Sequence, residues 1–272
     1  MSATIRAEVL KLATTRLWWV LALVMIGYVG FTAALLAFLF GALGDQLATQ
    51  PDAPQLSPEA IAPVVYSAVT AVGYVFPLIL GTLAVTSEVR YQTLTPTFLT
   101  QPRRGRVLSS KLVVLAVAGA VFGLIGLLAS VGLGAPILAA TGSGAALDDS
   151  DTWALAGRIV IAMALWAVIG VGIGSLIQNQ VAAIVVVLAF TQFIEPILRF
   201  GTSIWDWTAA VGRFLPGAAS DALVGSSIFT SFGGGGGTVP PLEWWQGGLV
   251  LLAIAVVLSI AGYLTAWRRD IT

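Results

Sequence analysis

The sequence of 272 residues contains no cysteine and no histidine. These absences exclude disulfide frameworks, zinc sites built from Cys or His, haem ligation by histidine and catalytic triads that need either side chain. Charged residues are also scarce, at 10% of the chain against about 25% in soluble domains. Together with a hydrophobic content of 58%, this scarcity indicates a membrane protein. The formal net charge of zero gives no indication of a nucleic-acid partner.

Six apolar stretches are each long enough to cross a bilayer, which takes about 20 helical residues. Helices are predicted because an open sheet cannot satisfy its backbone in lipid. Pro136 is expected to shorten the third span. The predicted spans cover about 17–43, 61–86, 111–140, 157–177, 181–199 and 248–267.

The loop charges predict the orientation of these spans. Ten of the thirteen basic residues precede the first span, lie between the second and third, or follow the sixth. The positive-inside rule assigns those segments to the cytoplasm. We therefore expect an all-α membrane protein with six spans and both termini inside, forming a single transmembrane domain over 1–272.

Two segments are neither span nor simple loop. Residues 1–16 place apolar and charged side chains at helical spacing, which predicts an amphipathic helix in the cytoplasmic interface; a frayed tail is the alternative. Residues 200–247 are rich in tryptophan, which favours short interfacial or re-entrant helices outside the membrane. The glycine run at 233–237 is expected to form a flexible tip.

Small residues recur within two spans. Gly119 and Gly123 in the third span, and Gly170 to Gly174 in the fourth, match the small-xxx-small pattern that lets helix backbones approach closely. We expect them to pack helices of this chain together; a dimer seam is the alternative.

One acidic residue falls near the outer end of the fifth span. An intramembrane acid is costly and is a functional hypothesis by default. Thr191, Gln192 and Glu195 are therefore candidates for a translocation path or gate. Alternatively, Glu195 forms a local ion pair with Arg199, four residues further along the helix.

The loop after the second span is unusually rich in arginine. Its helix is expected to continue past Arg90 and to bend at Pro96. The apolar pair Phe98 and Leu99 beside charges indicates a docking surface. The other basic residues are expected to anchor to lipid headgroups; they are Arg103, Arg104, Arg106 and Lys111.

This loop carries a family resemblance that extends over essentially the whole chain. Its sequence reads SEVRYQTLTPTFLTQPRRGRVLSSK, with an amphipathic start before it, and the chain ends in the basic segment AWRRDIT. The chain resembles the permease subunit of type-2 ABC (ATP-binding-cassette) exporters.

The resemblance implies two permease subunits paired as a homodimer in a bacterial plasma membrane, each docked to a cytosolic ATPase that binds ATP and magnesium. No cofactor is expected in this chain. A coupling region at 87–101 would contact the ATPase, supported by the N-terminal helix. The coupling role falls on Glu88, Arg90, Tyr91, Thr93, Phe98 and Leu99.

The expected function is therefore outward transport of an amphipathic or hydrophobic substrate such as a drug, lipid or peptide. A stand-alone channel or ion-coupled carrier is the alternative, although no predicted span has a Lys or Arg near its centre. An enzyme is not expected, because no paired catalytic arrangement is visible. Asp148, Asp149 and Asp151 lack the rest of a calcium loop, and no Walker A motif occurs. Neither a catalytic nor a metal site is predicted.

Overall fold

The computed structural model describes residues 2–44, 46, 56–201, 206–231 and 242–267, and all its regular elements there are helices. Two short segments, Phe190–Ile194 and Tyr263–Trp267, form π-helical turns. The helices in chain order are α1 (Ser2–Thr14), α2 (Leu17–Ala42), α3 (Pro58–Tyr66), α4 (Ala68–Ala71), α5 (Val75–Arg90), α6 (Leu94–Thr100), α7 (Arg104–Ala140), α8 (Ser150–Leu176), α9 (Gln180–Gly201), α10 (Asp206–Gly212), α11 (Pro216–Val224), α12 (Ile228–Ser231) and α13 (Trp244–Gly262).

Some predicted features fall outside the described residues. They are the glycine run at 233–237, Trp205, Pro240, Pro241 and the C-terminal Arg268 and Arg269.

Five of the six predicted spans correspond to single helices that are long and apolar enough to cross a membrane. They are α2, α7, α8, α9 and the helix that starts at Trp244. Large apolar side chains on these helices face outward, as a lipid-exposed surface requires; Phe31 and Leu128 are examples. The chain is therefore a multi-pass membrane protein.

The second predicted span, at 61–86, is not a single helix. The structure divides this stretch into α3, α4 and α5, with a break between Ala71 and Val75. Pro77 lacks the N–H that would bond to the carbonyl of Gly73, so a helix continued through this point would lose that hydrogen bond. The 16 residues of α5 give a helix of only about 24 Å.

The predicted glycine packing within the chain is confirmed. A Cβ atom added at Gly170 would lie 2.1 Å from the carbonyl oxygen of Leu78, so α8 and α5 touch backbone to backbone. A Cβ at Gly119 would lie 2.5 Å from the carbonyl oxygen of Met163, which brings α7 equally close to α8. These glycines place α8 at the centre of the bundle.

The packing also shows which segments share an end of the bundle. The start of α7 lies beside the last helix, since a Cβ at Gly105 would lie 3.7 Å from the hydroxyl of Tyr263. Lys11 of α1 and Glu88 of α5 are hydrogen bonded at that same end. We call it the basic end; the other, where α8 and α13 begin, is the opposite end. The break in the second span lies about halfway along the bundle, since a Cβ at Gly73 would lie 2.9 Å from the side chain of Val29 in the middle of α2. The side of the membrane on which the basic end lies stays a prediction.

Two expectations about proline also differ from the structure. The helix α7 continues through Pro136 to Ala140, because proline removes only one hydrogen bond and membrane helices tolerate that loss. The chain does not bend at Pro96, which lies in the first turn of α6, where a missing N–H costs little. It bends before α6, where Gln92 has a φ of 56° in the left-handed region.

Candidate functional site

Four charged side chains form a cluster at the basic end. Lys111 Nζ lies 2.5 Å from Glu8 Oε2 and 3.0 Å from Glu88 Oε1, and it also donates to the carbonyl of Ala84. Lys11 Nζ lies 2.7 Å from Glu8 Oε1 and 2.9 Å from Glu88 Oε1. We call these four residues the ion-pair cluster. Two acids and two lysines balance, so α1, α5 and α7 are joined without net charge.

Lys111 is placed differently from its predicted role at lipid headgroups. Its side chain is 1% exposed and paired with two carboxylates. The reason is the length of α7, which starts at Arg104, so Lys111 lies two turns inside the helix. At 37 residues, α7 is about 55 Å long, well beyond the ~30 Å hydrocarbon core.

The pairing shifts the pKa values of the two α1 residues, which lie outside the spans. Burial alone would raise the pKa of Glu8, but the charges and hydrogen bonds of Lys111 and Lys11 outweigh it and lower the pKa below 4.5. Burial alone would lower the pKa of Lys11, but its bonds to Glu8 and Glu88 raise it above 10.5. Both shifts favour the charged forms.

The predicted coupling residues divide into outward-facing and inward-facing groups. Leu99 on α6 is 79% exposed and Tyr91 is 69% exposed. Phe98 instead packs against the core, with the Arg104 guanidinium 5.1 Å from its ring centre. Glu88 is buried in the ion-pair cluster. The exposed surface therefore centres on Leu99 and Tyr91.

The remaining basic-end candidates hold this surface in place or face outward. Arg90 donates to Gln180 at 3.2 Å, which ties the end of α5 to the start of α9. The Thr93 hydroxyl donates to the Glu88 carbonyl at the bend. Arg103 and Arg106 are exposed beside Tyr263.

A second polar group surrounds a cavity of about 170 Å³ in the half of the bundle toward the opposite end, between the break in the second span, α9 and α11. We call it the polar cavity. It contains all three predicted path residues. The lining residues are Thr70, Ala71, Val72, Tyr74, Thr191, Gln192, Glu195, Pro196, Arg199, Gly217, Asp221 and Phe229.

Glu195 is 2% exposed, and it accepts a hydrogen bond from the backbone N–H of Gly217 in the first turn of α11. A Cβ at position 217 would lie 2.5 Å from Glu195 Oε1, so only glycine allows this approach. The expected local pair is replaced by a longer-range one, since Arg199 forms a salt bridge with Asp221.

The π-helical turn explains how the cavity wall is built. In a regular helix the N–H of Glu195 would bond to the carbonyl of Thr191; here it bonds to the carbonyl of Phe190. The Thr191 carbonyl is thereby free to accept from the hydroxyl of Tyr74 at 3.1 Å. Such π-turns occur frequently at functional sites, and this one joins α9 to the break in the second span.

Sequence reasoning missed Glu8 and Asp221 as site residues. The spacing of Glu8 and Lys11 was a usable signal, because residues three apart share a helix face. Their partners Glu88 and Lys111 come from distant parts of the chain, and periodicity carries no information about them. Asp221 gave no signal beyond lying in a predicted outside segment.

Comparison with known families fits this architecture. The family described as "ABC-2 family transporter protein" matches residues 4–194, more than half of the chain. The chain belongs to the ABC-2 transporter permease family. Residues 4–194 include α1, the broken second span, α6 and the π-turn of α9. No curated protein matches the chain.

Family membership establishes a coarse function. The protein is the membrane subunit of an ABC transporter, a transport component rather than a catalytic one, and the family implies an ATPase partner. The resemblance seen in the sequence is thereby confirmed at the level of the family.

Proposed function

We propose that this ABC-2 permease exports an amphipathic or hydrophobic substrate, driven by a separate cytosolic ATPase that docks on the basic end. Family membership supports the ATPase, and the exposed Leu99 supports the place of docking. Leu99 is 79% exposed and Tyr91 is 69% exposed beside a bend and an arginine-rich segment, and an exposed apolar surface rimmed by charge is typical of a site for a partner protein. The chain then acts as a single permease domain in a bacterial plasma membrane.

In this proposal the coupling surface has two layers. Tyr91 and Leu99 contact the ATPase, while Phe98 fixes α6 to the bundle. Arg90 and Thr93 hold the bend at the end of α5. The ion-pair cluster then passes any displacement of α6 to α1 and α7, because Glu88 bonds to lysines on both helices.

The remaining assignments complete the proposal. Arg103, Arg104 and Arg106 lie near lipid headgroups, to which a basic cluster is attracted. Thr191, Gln192 and Glu195 line a gate at the outer end of the path. Two copies of the permease pair, and each docks one ATPase, which binds ATP and magnesium. All nucleotide chemistry belongs to the ATPase, and this chain converts its movement into substrate passage.

The absence of cysteine from the sequence makes a direct test possible, because any introduced cysteine is unique. Leu99→Cys is expected to cross-link to a co-purifying ABC ATPase in native membranes. Leu147→Cys, an exposed leucine at the opposite end, is the matched control and should give no such product. Leu99→Asp should lower the amount of retained ATPase about tenfold, since it loses an anchor contact of roughly 1.4 kcal/mol.

Two results would overturn the proposal. One is equal cross-linking from Leu99→Cys and Leu147→Cys in the presence of the ATPase. The other is substrate or ion flux by the purified chain alone in liposomes, which would favour the stand-alone channel or carrier.

A further inference from the structure

We propose that the polar cavity is a binding site for a protonated primary amine, with the Glu195 carboxylate as its principal acceptor. The assignment starts from charge. The charged side chains among the described lining residues are Glu195, Asp221 and Arg199. With both carboxylates ionised they sum to one negative charge, which a single ammonium group would balance.

Glu195 also has unused hydrogen-bonding capacity. Its Oε1 accepts from Gly217, and the amide of Ala218 faces the carboxylate. Its Oε2 is fully buried and makes no hydrogen bond of normal geometry to any described residue. A buried carboxylate oxygen without a partner is unfavourable, and Glu195 borders a cavity that can hold a donor.

Arg199 is already committed elsewhere. It forms a salt bridge with Asp221, which accepts a second hydrogen bond from the hydroxyl of Ser227 at 2.5 Å. The Arg199 guanidinium also lies 4.1 Å from the centre of the Phe229 ring. These contacts hold the arginine against α11 and α12, where it balances the charge of Asp221. The Glu195 carboxylate can therefore still bind a cation.

The remaining lining favours an organic ammonium over a metal ion. Ala71, Val72 and Phe229 supply apolar surface for a carbon chain. A divalent metal would need six or more oxygen ligands or a cluster of carboxylates, and no group of three potential metal ligands occurs among the described residues.

Acceptors for the further N–H groups are present on both walls. The Thr70 hydroxyl donates to the Ser67 carbonyl and keeps acceptor capacity. Pro196 has no N–H to give to the carbonyl of Gln192, four residues earlier. The cavity volume of about 170 Å³ equals that of about six waters at ~30 Å³ each. An ammonium head with a short carbon chain fits this space.

The amine could belong to a free molecule or to an aminophospholipid headgroup, and the test separates these sources. The full chain is placed in phosphatidylcholine nanodiscs at neutral pH and constant ionic strength. Thermal unfolding is followed by tryptophan fluorescence during titration with ethylammonium chloride. Tetramethylammonium chloride has the same charge but no N–H donor, and it serves as the control ligand.

We expect ethylammonium to raise the unfolding midpoint by an amount that grows with the logarithm of its concentration above the Kd, and tetramethylammonium to leave the midpoint unchanged. At an amine concentration of about 100 times the Kd, the folding equilibrium shifts about 100-fold. Glu195→Gln retains the acceptor for Gly217 but removes the charge, so it should abolish the shift. Glu59→Gln, an exposed acid at the same end, should retain it.

Equal responses to the two ammonium ions, or an undiminished shift in Glu195→Gln, would overturn the inference. If Glu195→Gln does not fold, the comparison of the two ions in the unmodified chain decides. Adding phosphatidylethanolamine identifies the source: loss of the ethylammonium shift indicates the lipid headgroup, and its persistence indicates a free amine. The inference does not depend on ATPase docking, so either proposal can fail alone.

Discussion

The two ends of the bundle differ in how their buried charges are balanced. At the basic end, Glu8, Lys11, Glu88 and Lys111 balance and enclose one another. At the opposite end, Glu195, Arg199 and Asp221 leave one negative charge beside a cavity. The first arrangement is typical of a rigid joint between helices, and the second of a site that accepts a ligand. In the functions proposed above, the same residue types provide mechanical coupling at one end and recognition at the other.

The comparison is tested most severely by removing the central cation of the ion-pair cluster. Lys111→Met leaves Glu8 and Glu88 with only the half-exposed Lys11. Breaking a buried ion pair from one side typically costs about 3–5 kcal/mol, and we expect a loss of that size. Denaturant titration of the detergent-solubilised protein measures it. Arg106→Met removes an exposed cation from the same helix and should change stability by less than ~0.5 kcal/mol. Similar losses of stability in both variants would contradict the role of the ion-pair cluster as a rigid joint between helices.

This joint marks the limit of what the sequence could predict. The helices, the five continuous spans and the glycine contacts follow from local composition and spacing, whereas the family follows from the resemblance that the loop at 87–111 and the ends of the chain carry. The pairing of Lys111 with Glu8 joins residues 103 positions apart, and no hydropathy pattern encodes such a contact. Lys111 resembles an anchor because positive residues normally flank spans; only the length of α7 and the position of α1 place it inside.

The broken second span gives a related lesson. Hydropathy averages over about 20 residues, so it detects the apolar stretch and not the interruption at 72–74. Pro77 and Gly73 are visible in the sequence, but prolines are tolerated in membrane helices, as Pro136 shows in α7. Neighbouring helices decide which proline breaks a helix, and here the π-turn of α9 lies beside the break.

A pH series probes the joint in a second way. The lowered pKa of Glu8 means that its stabilising contribution is present above 4.5 and is lost as the pH falls through its folded-state pKa. The raised pKa of Lys11 means that its contribution is present below 10.5 and is lost as the pH rises through its folded-state pKa. The difference in unfolding midpoint between the unmodified chain and Glu8→Gln should therefore be largest between these limits and shrink below pH 4.5. A difference that stays constant under acid would contradict the ionic role of Glu8.

The opposite end can be given the charge balance of the basic end by one substitution. Asp221→Asn removes one negative charge and releases Arg199 toward Glu195, so the polar cavity becomes neutral. We expect the ethylammonium-induced rise in the unfolding midpoint to fall severalfold, since the free amine then competes with an arginine. Asp148→Asn, an exposed acid at the same end, is the matched control. An unchanged titration in Asp221→Asn would mean that net charge does not set the ligand preference.

The substitutions with the smallest expected effect on stability test on which side of the membrane each end lies. Leu99→Cys and Leu147→Cys replace exposed leucines at the two ends, so neither should lower stability by more than about 0.5 kcal/mol. In intact cells a membrane-impermeant maleimide should label Leu147→Cys and not Leu99→Cys, and permeabilised cells should show both labelled. This outcome follows from the arginines near Leu99, because short loops rich in Lys and Arg are retained in the cytoplasm. The reverse pattern would place the polar cavity in the cytoplasmic half and α6 outside the cell, where a cytosolic ATPase could not dock.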